Sequence, residues 1–276
     1  MSQIALVTGA TGGIGKAIAI ALAKQGYRVI IHGRNLAKLE ALLRELNIKH
    51  GSRGEHKMLQ ADLDKAEERV SMIEAAFDIA QNCGGKLDLL VNNAGISHFG
   101  DFALTQAGTI EALAQTNFVA PIMLSQHYLN TLQRKQQVGT LINLGSALGS
   151  IGFPGFSVYC ATKFGLRGFT ETLAREYQAS GNRIAYFAPR TTDTSINSKA
   201  ASQMNQTMGS KVDSVDDVAQ AFMSFLNGKS RRKVLGWPET FFARLNGVLP
   251  ELVDKAFIQK TKKIKQFTSI PTGETK

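Results

Sequence analysis

The sequence predicts a doubly wound α/β fold with a parallel sheet, on three observations. Seven short apolar runs alternate with helix-like segments along the chain. The helix-like segment after the first run, residues 17–23, is apolar nearly all round, as a helix buried against a sheet should be. A glycine-rich string joins that first run to that helix. Repeated β-α alternation favours a parallel sheet covered on both faces, with right-handed crossovers.

In chain order the candidate strands are residues 4–8, 28–32, 56–60, 87–92, 140–144, 183–188 and 233–236. Helical patterns fall near 13–25, 35–47, 64–82, 105–136, 157–180 and 214–227. The stretch 191–211 is polar and rich in Ser, Thr and Asn, which predicts a mobile loop or a short helix. No internal repeat or low-complexity linker interrupts the pattern, so residues 1–236 read as one domain and 237–276 as a basic, amphipathic C-terminal extension.

Composition narrows the class. The chain has 276 residues, 43% hydrophobic and 20% charged, which suits a globular domain of this type. Its two cysteines, Cys83 and Cys160, lack the spacing of a disulfide framework or a metal site, and no histidine cluster accompanies them. No metal and a reducing, cytoplasmic compartment are therefore expected. The start of the chain shows no secretory signal pattern, and no run of about 18 apolar residues predicts a membrane span. The net charge of +10 is concentrated: residues 229–265 carry ten Lys or Arg against three Asp or Glu.

The glycine string Thr8-Gly9-Ala10-Thr11-Gly12-Gly13-Ile14-Gly15 stands where a strand turns into a helix. Gly9 permits a tight turn, and Gly13 and Gly15 permit close approach of backbone to phosphate and of helix to sheet. The helix N-terminus then offers free N–H groups to a pyrophosphate. A phosphate-binding loop of the Walker type does not fit, because Ala10 stands at its first glycine and Ala17 follows Lys16 where Ser or Thr is needed. At the end of the second strand, His32-Gly33-Arg34-Asn35 contains no carboxylate to bind a ribose 2′-hydroxyl. Arg34 could instead contact a 2′-phosphate, which favours NADP(H) over NAD(H); the alternative is a solvated surface arginine.

Tyr159 and Lys163 are four residues apart and share a helix face. A nearby ammonium should lower the phenol pKa and ready it for proton transfer to a carbonyl oxygen. Ser146, thirteen residues earlier, could hydrogen-bond the same oxygen.

With Asp62, Asn92-Asn93-Ala94-Gly95 and Asn117 in matching order and spacing over about residues 3–236, the chain resembles the short-chain dehydrogenase/reductase family, and its 3-oxoacyl reductases in particular. The resemblance implies a seven-stranded Rossmann sheet. It implies Tyr159 as general acid/base, Lys163 as its electrostatic partner and ribose ligand, Ser146 as the group orienting the substrate oxygen, and Asn117 as the holder of a relay water. It places Asp62 at the adenine, Asn93, Ala94 and Gly95 along the adenosine, and Asn92 with Asn93 steadying the central strand. Gly9, Thr11, Gly13, Ile14, Gly15, Arg34, Leu63, Pro189, Thr192 and Thr194 complete the expected cofactor site. Cys160 reads as packing.

One departure stands out. Arg190 follows Pro189 where the family has glycine. Two readings stay open, an arginine facing an anionic substrate and one pointing to solvent.

The implied activity is NADP(H)-dependent hydride transfer to a ketone or from a secondary alcohol, with a 3-oxoacyl thioester, carrier-linked or not, as the leading substrate. Steroid, sphingoid-base and small-alcohol substrates are alternatives, and a non-catalytic dinucleotide-sensing regulator is the rival from another class. Family habit implies a homodimer or homotetramer built on the helices near 105–136 and 157–180. The apolar residues of 237–265 recur at helical spacing, with Pro250 predicted to break them into two helices. They read either as peripheral contact with an anionic membrane or as a cover for the cleft or a subunit contact. No recognition module accompanies the charge, so nucleic acid is not expected.

Overall fold

A computed structural model of the chain describes residues 3–51 and 55–268. Seven strands form a single parallel sheet: β1 (Ile4–Val7), β2 (Arg28–Gly33), β3 (Lys57–Gln60), β4 (Leu87–Asn92), β5 (Thr140–Leu144), β6 (Arg183–Ala188) and β7 (Arg232–Val234), in the order β3-β2-β1-β4-β5-β6-β7. The helices are α1 (Gly13–Lys24), α2 (Leu36–His50), α3 (Ala66–Asn82), α4 (Ala107–Ala114), α5 (Ala120–Arg134), α6 (Ser157–Glu176), α7 (Lys199–Thr207), α8 (Val215–Asn227), α9 (Glu239–Asn246) and α10 (Pro250–Thr268).

Alternation along β1 explains the layers. Ala5 and Val7 point into one core, with Ile18, Leu22, Leu39 and Phe222 from α1, α2 and α8. Ile4 and Leu6 point into the other, with Ile73, Phe77, Leu124 and Tyr128 from α3 and α5. Both faces of the central strands are dry, so these strands are near-continuous apolar runs. The strand order reverses between β1 and β4, which opens a crevice beyond their carboxyl ends.

Every expected strand is present, with bounds moved by no more than two residues. The single helical pattern near 105–136 is resolved into α4, a π-helical turn (Gln115–Val119) and α5. Such a turn inserts a residue into the ladder and re-aims its neighbours. The polar stretch after β6 contains α7, the short-helix option. Pro250 opens α10, as the predicted helix break requires. The last eight residues of the expected extension lie outside the described residues.

Two polar devices hold α6 and the end of β5 in place. Asn143, fully buried on β5, accepts a hydrogen bond from Asn92 Nδ2 on β4 (2.9 Å) and donates to Thr170 Oγ1 on α6 (2.9 Å). Gly145 lies so close to the Tyr186 ring that any side chain would overlap it, and the Tyr186 hydroxyl sits 3.4 Å from both the amide and the carbonyl of Ser146. Buried polar groups are costly once a partner is removed. Replacing Asn143 with Ala is therefore expected to destabilise the fold by about 2–3 kcal/mol, read as a lower urea midpoint.

Candidate active site

The crevice begins at the turn after β1. Thr8 Oγ1 accepts from the backbone amides of Asn93 (2.9 Å) and Ala94 (3.0 Å), and Asn93 Nδ2 donates to the carbonyls of Thr8 and Gly9. Gly9 has φ +64°, and a Cβ there would stand 2.8 Å from Ala94 Cα, so both the turn and the approach of the two loops require glycine. Asn92 serves the sheet, donating to Asn143 and to the Pro121 carbonyl (3.2 Å).

His32 is a supporting residue the sequence reading missed. Its Nδ1 accepts from the Gly9 amide (3.3 Å) while Nε2 faces the Ala61 carbonyl (3.1 Å), so the ring is neutral and braces the glycine turn from the end of β2. Burial pulls its pKa down to about 4. A lone polar residue in the apolar strand Val29-Ile30-Ile31 was the available signal.

The first turn of α1 carries no capping side chain at Gly12 and no acidic residue, so its free amides face the crevice uncompensated. That donor set fits a dinucleotide diphosphate. The cavity is about 700 Å³ and continuous from this turn to Tyr159 and Lys163. Gly9, Thr11, Gly13, Ile14, Gly15, Arg34, Asp62, Leu63, Asn93, Ala94, Gly95, Pro189, Thr192 and Thr194 all line it, with Ser146, Tyr159 and Lys163. Thr194 reaches the glycine turn: a Cβ on Gly13 would meet its methyl at 3.0 Å.

Asn117 alone among the nominated residues does not line the cavity. It is buried in the π-helical turn, its Oδ1 accepting from the Ile96 amide and its Nδ2 donating to the Ile96 carbonyl, both at 2.8 Å. Its Oδ1 nevertheless lies 3.1 Å from where a Gly95 Cβ would stand, and Lys163 Nζ lies 3.7 Å from that same point. The two side chains converge on one glycine.

Tyr159 and Lys163 share a face of α6, with the Lys163 ammonium 5.8 Å from the phenol ring centre and donating to the Leu144 carbonyl (3.1 Å). The expected lowering of the phenol pKa is corrected. Burial pushes Tyr159 up to about 12, while a hydrogen bond with Ser146 pulls the other way. Burial alone brings Lys163 down to about 8. A dry site penalises the charged form of each group, so the phenol is held as a proton donor. Ser146 Oγ also accepts from the Leu148 amide (3.1 Å), which fixes its rotamer at the end of β5.

The solvent-facing reading of Arg190 is corrected as well. It does not point to solvent, although it lines the cavity. Its guanidinium is buried, paired with Asp213 through Nε (2.9 Å) and Nη2 (2.6 Å), and with Glu239 Oε2 and the Trp237 carbonyl at 3.3 Å. Its backbone φ is not positive; among the described residues Gln136 is the only non-glycine residue with positive φ. Arg190 ties the loop after β6 to the C-terminal extension.

The apolar stripe of that extension is split. Phe242, Val253, Ala256 and Phe257 line the cavity, Phe242 and Ala256 at its exposed rim, whereas the exposed Trp237, Phe241, Val248, Leu249 and Leu252 do not line it. The covering role is thus filled by part of the stripe. Among the described residues no helix is long and apolar enough to cross a membrane.

The short chain dehydrogenase family model matches residues 3–205. The chain is 35% identical over 189 residues to carbonyl reductase family member 4 of Xenopus laevis, covering 68% of this chain and 75% of that protein. It is 36% identical over 187 residues to the 3-oxoacyl-(acyl-carrier-protein) reductase FabG of Haemophilus influenzae, covering 68% and 73%. In structure it is similar to a short-chain dehydrogenase of Sphingobium yanoikuyae solved with NADPH, with TM-score 0.75 and 24% identity, over 91% of this chain and 95% of that one. The chain belongs to the short chain dehydrogenase family, and within it is similar to 3-oxoacyl reductases.

The His32 shift makes stability depend on pH. Between its ordinary value of 6.5 and about 4, the unfolded chain binds a proton that the folded chain does not. The contribution is complete above about pH 6.5 and is lost as pH falls toward about 4. Across that window the urea midpoint of the wild type should fall more steeply than that of His32→Gln, which keeps a donor and an acceptor.

Proposed function

We propose that the protein is an NADP(H)-dependent reductase of ketones, with 3-oxoacyl thioesters as the leading substrate class. One observation carries the reading: a phenol, an ammonium and a hydroxyl meet at one end of a cavity whose other end is the amide-rich turn of α1. When bound, the nicotinamide would supply or accept the hydride.

The residues divide the remaining work. The first turn of α1 holds the diphosphate, while Asp62 and Leu63 flank the adenine and Asn93, Ala94 and Gly95 the adenosine. Lys163 holds the nicotinamide ribose, and Pro189, Thr192 and Thr194 close over the nicotinamide side. Ser146 orients the substrate oxygen. Tyr159, protonated in the dry site, gives its proton to that oxygen as the carbonyl carbon is reduced. The phenolate left behind is stabilised by the Lys163 ammonium, which exists below about pH 8. Asn117 steadies the Ile96 backbone beside this pair and would place a relay water behind it.

The NADP(H) preference rests on Arg34. It stands at the mouth of the cavity at the end of β2, with no carboxylate beside it there and no ion pair among the described residues. The acyl preference is supported by the similarity to 3-oxoacyl reductases and by the apolar wall formed by Leu148, Phe153, Phe156 and Phe257. A homodimer or homotetramer on α5 and α6 is supported by exposed Met123 and Phe164 on those helices.

A panel of 3-oxoacyl thioesters and other ketones, assayed in parallel with NADPH and NADH, tests the reading. Tyr159→Phe should lower kcat by about 10²–10⁴-fold with little change in NADPH binding. Unchanged turnover would remove the acid/base role. Arg34→Ala should raise the KM for NADPH by about tenfold, the scale of one charge-assisted contact, and leave that for NADH nearly unchanged.

A further inference from the structure

The cofactor and proton-transfer roles leave one wall of the cavity without a task. That wall is aromatic and follows a continuous path. The Tyr159 ring lies 6.1 Å from Phe156, Phe156 lies 6.1 Å from Phe153, and Phe153 meets Phe257 edge-on at 5.5 Å. At the end of this ladder Lys260 Nζ stands 6.0 Å from the Phe257 ring centre. The path runs from the reacting end of the site to α10, which covers the cleft.

The position of Lys260 on α10 is unusual. Val253, Ala256, Phe257, Lys260, Ile264 and Phe267 recur at helical spacing and form one stripe. The first four line the cavity, while Ile264 and Phe267 pack against Phe99, Phe156 and Met204. Lys260 is the one charged residue in this inward stripe. At about 100° per residue, Lys255 and Lys262 project from the opposite side of the helix. Lys260 is exposed and also lines the cavity, which puts it at the mouth. Among the described residues it makes no ion pair. The carboxylates that line the cavity are engaged elsewhere. Glu239 pairs with Arg190, Asp64 accepts from Thr116, and Asp62 accepts from the Asp64 amide.

We propose that Lys260 is a specificity-determining residue that receives an anionic group at the mouth of the cleft. The substrate is then an amphiphile: a ketone or alcohol whose apolar segment lies along Phe156, Phe153 and Phe257 and ends in a carboxylate or a phosphate ester. The proposal rests on the reading of Tyr159 as the reacting end. A cation at an apolar rim selects an anionic end over a neutral one because the neutral end gains nothing from the charge, and a cationic end is repelled.

The test is binding, which does not depend on turnover. Calorimetric titration of the full-length protein, with NADPH present, compares decanoate, decyl phosphate and decanol. These share a chain length and differ at one end. The wild type should bind at least one of the two anions about threefold or more tightly than decanol, the scale of a partly exposed charge contact. The preference should shrink as salt rises. Lys260→Ala should abolish it, Lys260→Glu should reverse it, and Lys262→Ala, on the outward face, should keep it. A preference for decyl phosphate alone identifies a phosphate ester as the natural end group, and one for decanoate alone identifies a carboxylate. No anion preference in the wild type, an unchanged preference in Lys260→Ala, or an equal loss in Lys262→Ala would overturn the proposal. Failure of the reductase reading would show separately, as ketone panels that leave NADPH unoxidised while the anion preference persists.

Discussion

The hydroxyl of Thr8 joins the two loops on which the site depends. It accepts the amides of Asn93 and Ala94, so the turn after β1 and the turn after β4 are held as one rigid rim. The strand order reverses between these neighbours, and the backbone has no continuing sheet to pair with there. Side chains must take over. Asn93 satisfies two carbonyls of the glycine turn, and the neutral His32 ring receives the Gly9 amide. With those groups satisfied from below, the first-turn amides of α1 are left free to face the crevice. The rim thus turns free amides toward the crevice without placing an acidic side chain among them.

A dry interior sets the chemistry at the other end. Burial raises the Tyr159 phenol and depresses the Lys163 amine, so the site opposes charge on both groups. This cost is tolerated because α6 is held from behind. Asn143 bridges β4 and α6, and Tyr186 packs beneath the Gly145-Ser146 turn. The cost also has a use. A phenolate formed in such a place relies on one nearby cation for stabilisation, and attraction between charges grows as the dielectric falls. In the proposed proton transfer, the geometry that makes the pair unfavourable at rest would make it effective when a proton leaves.

The C-terminal extension is tied to the sheet by one buried arginine. Arg190 reaches from the end of β6 to Asp213 ahead of α8 and to Glu239 at the start of α9. It thereby fastens the start of α9 beside the cleft. Gly236 makes room for it, since a Cβ there would stand 2.6 Å from Arg190 Cδ. The apolar face of α10 then forms part of the cavity wall, so Val253, Ala256 and Phe257 add to it from outside the segment that matches the family.

Local chemistry made much of this legible in the sequence. The apolar runs made the five inner strands legible, because a strand buried on both faces has few residue types open to it, and the half-exposed edge strands β3 and β7 were legible from their place in the β-α alternation. Glycine at 9, 13 and 15 and the Tyr159–Lys163 spacing were readable because tight turns and helix faces are set by residues close in sequence. Other features depended on contacts between distant segments. The π-helical turn at Asn117 looks like ordinary helix in the sequence, and its side chain is claimed by Ile96, twenty-one residues away. The fate of Arg190 was settled by acids twenty-three and forty-nine residues further on. The phenol pKa moved opposite to the expectation from its neighbour, since residue spacing reveals proximity but only packing reveals how much water remains. The sequence by itself determined the fold class and which side chains stand at the candidate site. Tertiary structure decided their partners and their solvation, because those depend on which distant residues close the space around them.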